Sequence, residues 1–377
     1  MKRYTRAMRF FKAILAFALL STVVMLSTQA ATSSDGVYVG TLGTSSIVLK
    51  LETFAPDEVS ATYYYRRVGR DIQLRGLSRA NGTFKLTEIT LPNREDLARL
   101  ELTLKGAALS GTWAELKGRQ RVYNVNLRKV VASDFAALRY PSTPAFKQWI
   151  SENPLDALRF DAPMKTAKLE TVTGKRVQWM TEPKSKITFP RLPRANASMN
   201  NVLILEHYRI ASEQLQCEGD YYTYSSKVSL YSSRILSLSG INEHYCMSAY
   251  PDTMPVNYTF DLLSARELIL EDLYRFTPFK INLDSNSEEF RKYVIAQANV
   301  LQGLILTKYG SMVAGIGIGC QRFYDGVNNL YDPSWFLTTK GLVVQSSLPH
   351  VANVCEDSYE LPYSSLVKYL APSSPLR

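Results

Sequence analysis

Four carboxylates crowd one stretch of the chain: Asp261, Glu267, Glu271 and Asp272. Two such groups set across a glycosidic bond can serve as general acid and as base or nucleophile, which makes the stretch a candidate for glycan cleavage. The local pattern also offers them structural work. Asp261 and Glu267 flank the predicted turn Leu263-Ser264-Ala265-Arg266, and Glu271-Asp272 falls where a short helical turn wants a cap. Carboxylates at such places accept backbone N–H groups that would otherwise lack partners.

Other chemistries fail on spacing. Gly315-x-Gly317-x-Gly319 resembles a nucleotide loop but follows a helix and precedes no phosphate-binding helix, so close backbone packing beside Cys320 is the expectation. No G-x-S-x-G, H-E-x-x-H or Walker pattern occurs. His207, His244 and His350 lack ligand spacing and no C-x-x-C pair exists, so neither a metal nor a cofactor is implied. His244, alone on a predicted strand, reads as structural. The runs Tyr63-Tyr64-Tyr65 and Tyr221-Tyr222 place rings on both faces of strands. One face must be core, and the other is free to stack on sugar rings or on a protein partner.

The elements that would position these groups divide the chain. Residues 31–130 read as an antiparallel β-barrel or sandwich, with alternating runs such as Ile47–Leu51, Val59–Arg67 and Leu100–Leu104 at about ten-residue intervals and turns such as Asn81-Gly82 between them. Residues 131–176 read as a connector with one short helix, capped by Thr143, opened by Pro144 and ended by Asn153-Pro154. Residues 177–377 read as an α+β domain with an antiparallel sheet and one main helix, from Ser285 or Ser287 to about Tyr309. Phe290, Val294, Ala298, Leu301 and Ile305 form its apolar face, and Lys308 falls in its expected last turn. Strands are expected over Tyr221–Ser239 and Tyr245–Tyr250, joined near Gly240.

Residues 1–30 carry the marks of a signal peptide: a basic start (Lys2, Arg3, Arg6, Arg9, Lys12), an apolar run from Ala13 to Leu26, and Thr28-Gln29-Ala30 before the expected cut. The apolar run is shorter than the ~20 residues of a spanning helix. The expected product is soluble, periplasmic or secreted, with no membrane span after cleavage. The whole chain is formally +10; without the five basic residues of the signal it keeps 39 basic and 34 acidic residues, or +5. That charge is not gathered into a basic run or stripe, so nucleic acid is not an expected partner. The four cysteines, Cys217, Cys246, Cys320 and Cys355, suit disulfides in an exported chain. Of three connectivities the sequential one, Cys217–Cys246 and Cys320–Cys355, encloses the most compact blocks.

Asn257-Tyr258-Thr259-Phe260-Asp261-Leu262, the run Glu267 to Tyr274, Phe336-Leu337-Thr338-Thr339-Lys340-Gly341-Leu342 and Leu361-Pro362-Tyr363-Ser364-Ser365-Leu366 belong together. Over roughly Arg176 to Leu370 they resemble the RsiV-like domain of unknown function, shared by a lysozyme-sensing anti-sigma factor and by some secreted polysaccharide deacetylases. In that family a histidine-bearing turn often precedes the first of these strands. Here Ser248-Ala249-Tyr250-Pro251 stands there, so Tyr250 replaces the histidine, and Tyr250, Asp252 and nearby His244 become candidate binding residues. The resemblance implies lysozyme binding, which a +5 chain would oppose for a basic lysozyme. Anti-sigma action would need a spanning helix and a cytoplasmic segment. The leading expectation is therefore an exported, non-catalytic protein that recognises a cell-wall polymer or a secreted, wall-acting protein. The second is an envelope polysaccharide hydrolase or deacetylase using the carboxylates at 261–272.

Overall fold

The computed structural model describes residues 34–377 apart from 56, 80, 91–94, 139, 194–195, 218–220, 247–249, 280–286, 314–332 and 347–356. The signal sequence, the 315–319 glycines and the Cys320–Cys355 pairing therefore lie outside the described residues. The protein is α+β, built on antiparallel sheets.

Strands β1 to β8 span Gly36–Leu42, Ser45–Thr53, Glu58–Tyr65, Ile72–Arg79, Thr83–Thr90, Glu95–Lys105, Ala108–Glu115 and Val122–Lys129. Each pairs with the next, and β1 pairs back on β8 from Tyr38↔Lys129 to Leu42↔Val125, which closes a barrel. The period-two pattern puts Ile47, Leu49 and Leu51 inside, with Leu74, Leu86, Leu100 and Leu102 opposite, so side chains fill the lumen. Gly76 and Gly111 sit mid-strand, where a Cβ would lie 1.8 Å from the carbonyls of Lys85 and Glu101. They mark close strand approach rather than turns.

The 131–176 region is more than a linker. After α1 (Ala132–Ala136), helix α2 (Pro144–Glu152) starts with the Thr143 hydroxyl accepting from Phe146 N at 3.3 Å, and α3 (Pro154–Ala157) follows directly. Then β9 (Lys165–Val172), β10 (Lys175–Thr181) and β11 (Thr188–Arg191) form a three-stranded sheet that runs across the expected boundary at 176. Leu155 and Leu158 pack on Val37, Val39, Val48 and Tyr64 of the barrel's outer face. Tyr64 is fully buried there and donates to Leu155 O at 2.9 Å. Its ring is therefore not the free stacking surface that the tyrosine run suggested.

Among the described residues the later region holds two long helices, not one. Helix α4 (Ala197–Gln216) was not legible because it is buried on most sides: Glu206, His207 and Ser212 are covered along with Leu203, Ile210 and Leu215, so no clean apolar stripe appears. Strands β12 (Tyr221–Tyr231), β13 (Ile235–Tyr245), β14 (Asp252–Pro255), β15 (Tyr258–Asp261) and β16 (Arg266–Glu267) form one sheet, ordered β12-β13-β15-β16 with β14 on β13. The β12–β13 turn falls at residues 232–234 and not near Gly240, which lies inside β13 with Val256 O only 2.7 Å from a would-be Cβ. Helix α5 (Leu270–Leu273) leads towards α6 (Glu288–Val313), whose N-terminus is capped by Ser287 Oγ accepting from Phe290 N at 3.1 Å. Because α6 extends past Tyr309, Lys308 is not in its last turn; its Nζ instead donates to Glu360 O. Strands β17 (Ser334–Leu337), β18 (Gly341–Gln345) and β19 (Ser358–Pro362) form a third sheet beside α6 and close a core around Leu301, Leu342 and Leu361.

Candidate functional site

The four carboxylates have separate surroundings. Asp261, 5% exposed, accepts from Arg234 Nε at 2.6 Å, Ser264 Oγ at 2.8 Å and Leu263 N at 3.2 Å. Burial pushes its carboxyl up, but these hydrogen bonds together hold it below the usual range. Asp272 takes both arms of Arg266 at 2.8 Å and accepts from Ile269 N at 3.0 Å, capping α5. The Arg266 hydrogen bonds lower its pKa. Glu271 accepts from the Tyr293 hydroxyl. Glu267 pairs with Phe260 across the β15–β16 ladder, and its charged neighbours are Glu206 and Arg209 of α4. Partial loss of water around the carboxyl, then the Glu206 charge, push it up to about 7. Since Glu267 is exposed as a residue, water screens part of that rise.

Glu267 and Glu271 both border a cavity of about 340 Å³ between β15–β16, α6 and β17. The loop that follows Asp261 turns the chain back, α5 carries Glu271 to the rim, and α6 presents Phe290, Tyr293 and Gln297. Trp335 of β17 completes the wall. Gln297 borders the same cavity and is 4% exposed. None of Tyr293, Gln297 and Trp335 was singled out from the sequence, yet a signal was there. Gln297 stands within the apolar stripe Val294, Ala298, Leu301, Ile305, where a polar residue breaks the pattern.

The other candidate residues lie elsewhere on the second sheet. His244 is the cross-strand partner of both Asp252 and Tyr222, and the Tyr222 and His244 rings are 6.1 Å apart. The Tyr222 hydroxyl donates to Glu213 at 3.1 Å, while His244 Nδ1 is buried without a partner among the described residues. Tyr250 is 64% exposed just before β14. Cys217, at the end of α4, is bonded to Cys246 at the end of β13, with the Cα atoms 4.8 Å apart. Among the described residues no three His, Cys, Asp or Glu side chains converge as metal ligands, and no helix is long and apolar enough to cross a membrane.

No protein-family model matches the chain, and no curated protein matches it. Solved structures similar to it include two DUF3298 family proteins. One is a member of the DUF3298 family from Bacteroides fragilis, 13% identical, covering 56% of this chain and 93% of that one with a TM-score of 0.32. The other is a DUF3298 family protein from Pseudomonas aeruginosa, also 13% identical, covering 57% of this chain and 97% of that one with a TM-score of 0.31. At that level of likeness no residue role passes from them to this chain.

Proposed function

We propose that this chain is an exported, non-catalytic binding protein that recognises a cell-envelope polymer or a wall-acting protein from the periplasm or outside the cell. The observation that carries this reading is the employment of the carboxylates. Asp261 and Asp272 are held by arginines and backbone donors, and Glu271 accepts from the Tyr293 hydroxyl. A hydrolase needs two carboxyls opposed across the scissile bond. The cavity beside them pairs the aromatic rings of Phe290, Tyr293 and Trp335 with polar side chains such as Gln297, which is the composition of a recognition site. The barrel core is filled by side chains, and a larger cavity of about 840 Å³ opens beside β3 and β4, lined by Phe54, Glu58, Gln73 and Arg75.

One observation favours the second reading, an envelope polysaccharide hydrolase or deacetylase: Glu267 is pushed up towards neutrality at the rim of the same cavity that holds Glu271. Both readings are tested together by incubating the purified mature protein with peptidoglycan and with acetylated glycans. Co-sedimentation without release of sugar fragments or acetate is the expected result. Release that disappears in a folded Glu271→Gln variant would replace the binding reading with the enzymatic one.

A further inference from the structure

The loop between β3 and β4 carries Arg66, Arg67 and Arg70, and the fold holds it still. Val68 N and Gly69 N both donate to Tyr65 O, at 2.9 and 2.8 Å, and Arg66 N donates to Ser46 O at 2.9 Å. The Gly69 carbonyl accepts from the buried Arg159. The Lys184 stem lies against Gly69, where a Cβ would come within 3.1 Å of Lys184 Cδ. Beside this loop opens a cavity of about 910 Å³, bordered by Ser45, Ser46, Arg66, Arg67, Asp161 and Lys184. Its volume falls in the ~300–1,000 Å³ range of small-molecule sites.

The charges at its wall do not cancel. Lys184 Nζ is spent on Asp161 at 2.7 Å and on the Arg159 carbonyl. Asp134, whose carboxylate feels the Arg66 charge, is taken by both arms of Arg128. Among the described residues Arg66 and Arg67 form no ion pair, and Arg66 Nε is buried without a hydrogen-bond partner. Arg66, Arg67 and Lys184 against Asp161 leave the wall with a surplus of two positive charges. A cleft of one sign gathers the opposite charge, and guanidinium forks fit phosphate oxygens in pairs. A phosphomonoester carries about −1.5 to −2 at pH 7, which meets that surplus, whereas a single carboxylate meets about half of it. Ser45 and Ser46, both exposed at the rim, add hydroxyl donors. We propose that this cavity is an anion site that binds a phosphomonoester group through Arg66 and Arg67. It shares no lining residue with the cavity beside Gln297, and it stands whether or not that one recognises an envelope polymer.

Calorimetric titration of the purified protein with glucose 6-phosphate, glucuronate and glucose tests this. Phosphatidylcholine vesicles, with and without phosphatidate, offer the same group on a lipid. Saturable binding is expected of the sugar phosphate or of the phosphatidate vesicles, and either carrier satisfies the proposal. Glucuronate should bind at least about tenfold more weakly than glucose 6-phosphate, and glucose more weakly still. For the carrier that binds, Arg67→Gln should lower affinity by about tenfold or more, the effect of one lost charge-assisted group. Its melting temperature should not move, because Arg67 is exposed. Arg66→Lys keeps the charge, loses the fork and should also weaken binding. Arg79→Gln removes an equally exposed arginine at the opposite end of β4, beyond the screening length, and should change affinity by less than about twofold. Binding of neither carrier would overturn the proposal, as would glucuronate binding as tightly as the sugar phosphate. So would unchanged affinity in Arg67→Gln, or an equal loss in Arg79→Gln, which would reduce the effect to diffuse attraction by a basic surface.

Discussion

Replacing Arg159 with methionine should cost more stability than any surface change in this protein. The guanidinium is fully buried. It donates to Asp71 Oδ1 at 2.6 Å, to Asp156 Oδ1 at 3.0 Å and to the Gly69 carbonyl, and it lies 4.5 Å above the Tyr64 ring. Asp71 and Tyr64 belong to the barrel side and Asp156 and Arg159 to the helical segment, so one side chain pins the two together. Burial works against the Arg159 charge, but Asp71 and Asp156 outweigh it; burial likewise pushes Asp71 up, to about 6, against the pull of Arg159. Both are charged at neutral pH. Removing the arginine leaves Asp71 buried and unpaired, a situation that typically costs about 3–5 kcal/mol. With an unfolding slope near ~3 kcal/mol per M, the urea midpoint should fall by roughly 1–2 M. The double variant Asp71→Leu/Arg159→Met removes both charges and should recover much of that loss. An Arg159→Met protein within about 1 kcal/mol of wild type would refute the reasoning, since it would mean that water reaches Asp71 as soon as its partner goes.

His207 is fully buried, sharing hydrogen bonds at 2.9 Å with Arg191 and with Ile187 O, and burial, then the Arg191 charge, push its pKa down to about 3. A depressed base contributes stability that is complete above pH 6.5 and is lost as pH falls towards 3, at up to about 1.4 kcal/mol per pH unit. His207→Gln keeps a donor and an acceptor without the titration, so its unfolding free energy should fall less steeply between pH 6.5 and 4; equal slopes would count against this. Asp261→Asn retains the turn's shape and should cost at most about 1–2 kcal/mol, with no change in any glycan turnover by the preparation; lost turnover in the folded variant would revive the catalytic reading. Replacing Cys217 and Cys246 by serine should cost about 3–4 kcal/mol for a loop with separation 29, by the chain-entropy account. Peptide mapping without reduction should find those two cysteines linked, and a different partner for either would contradict the structure.

What could be read from the sequence was what depends on short spacing. Alternation and turn chemistry mark the barrel strands, because Ile47, Leu49 and Leu51 repeat at period two and Asn81-Gly82 can only turn. Thr143-Pro144 and Ser287 mark helix starts for the same local reason. The closing pair β1–β8 could not be read, since it joins Leu42 to Val125 through the twist of the whole sheet. Nor could α4, where Glu206 and His207 are buried by tertiary partners that no local window contains.

The candidate site divides along the same line. The carboxylates were conspicuous because Asp and Glu stand out in a row, and conspicuousness proved a poor guide: Asp261 and Asp272 serve the turn and the cap beside them. A turn, a cap and an ion pair are local needs, and a charged residue near a chain reversal meets them cheaply. Gln297 is inconspicuous by type but anomalous by position, a carboxamide on a stripe whose other members are all apolar. No local need explains it: the backbone donors of a helix interior are already paired, and the side chain stands at the wall of the cavity beside β17. A polar residue that breaks its own element's pattern at the wall of a cavity is a better place to look for a ligand than carboxylates already spent on a turn and a cap.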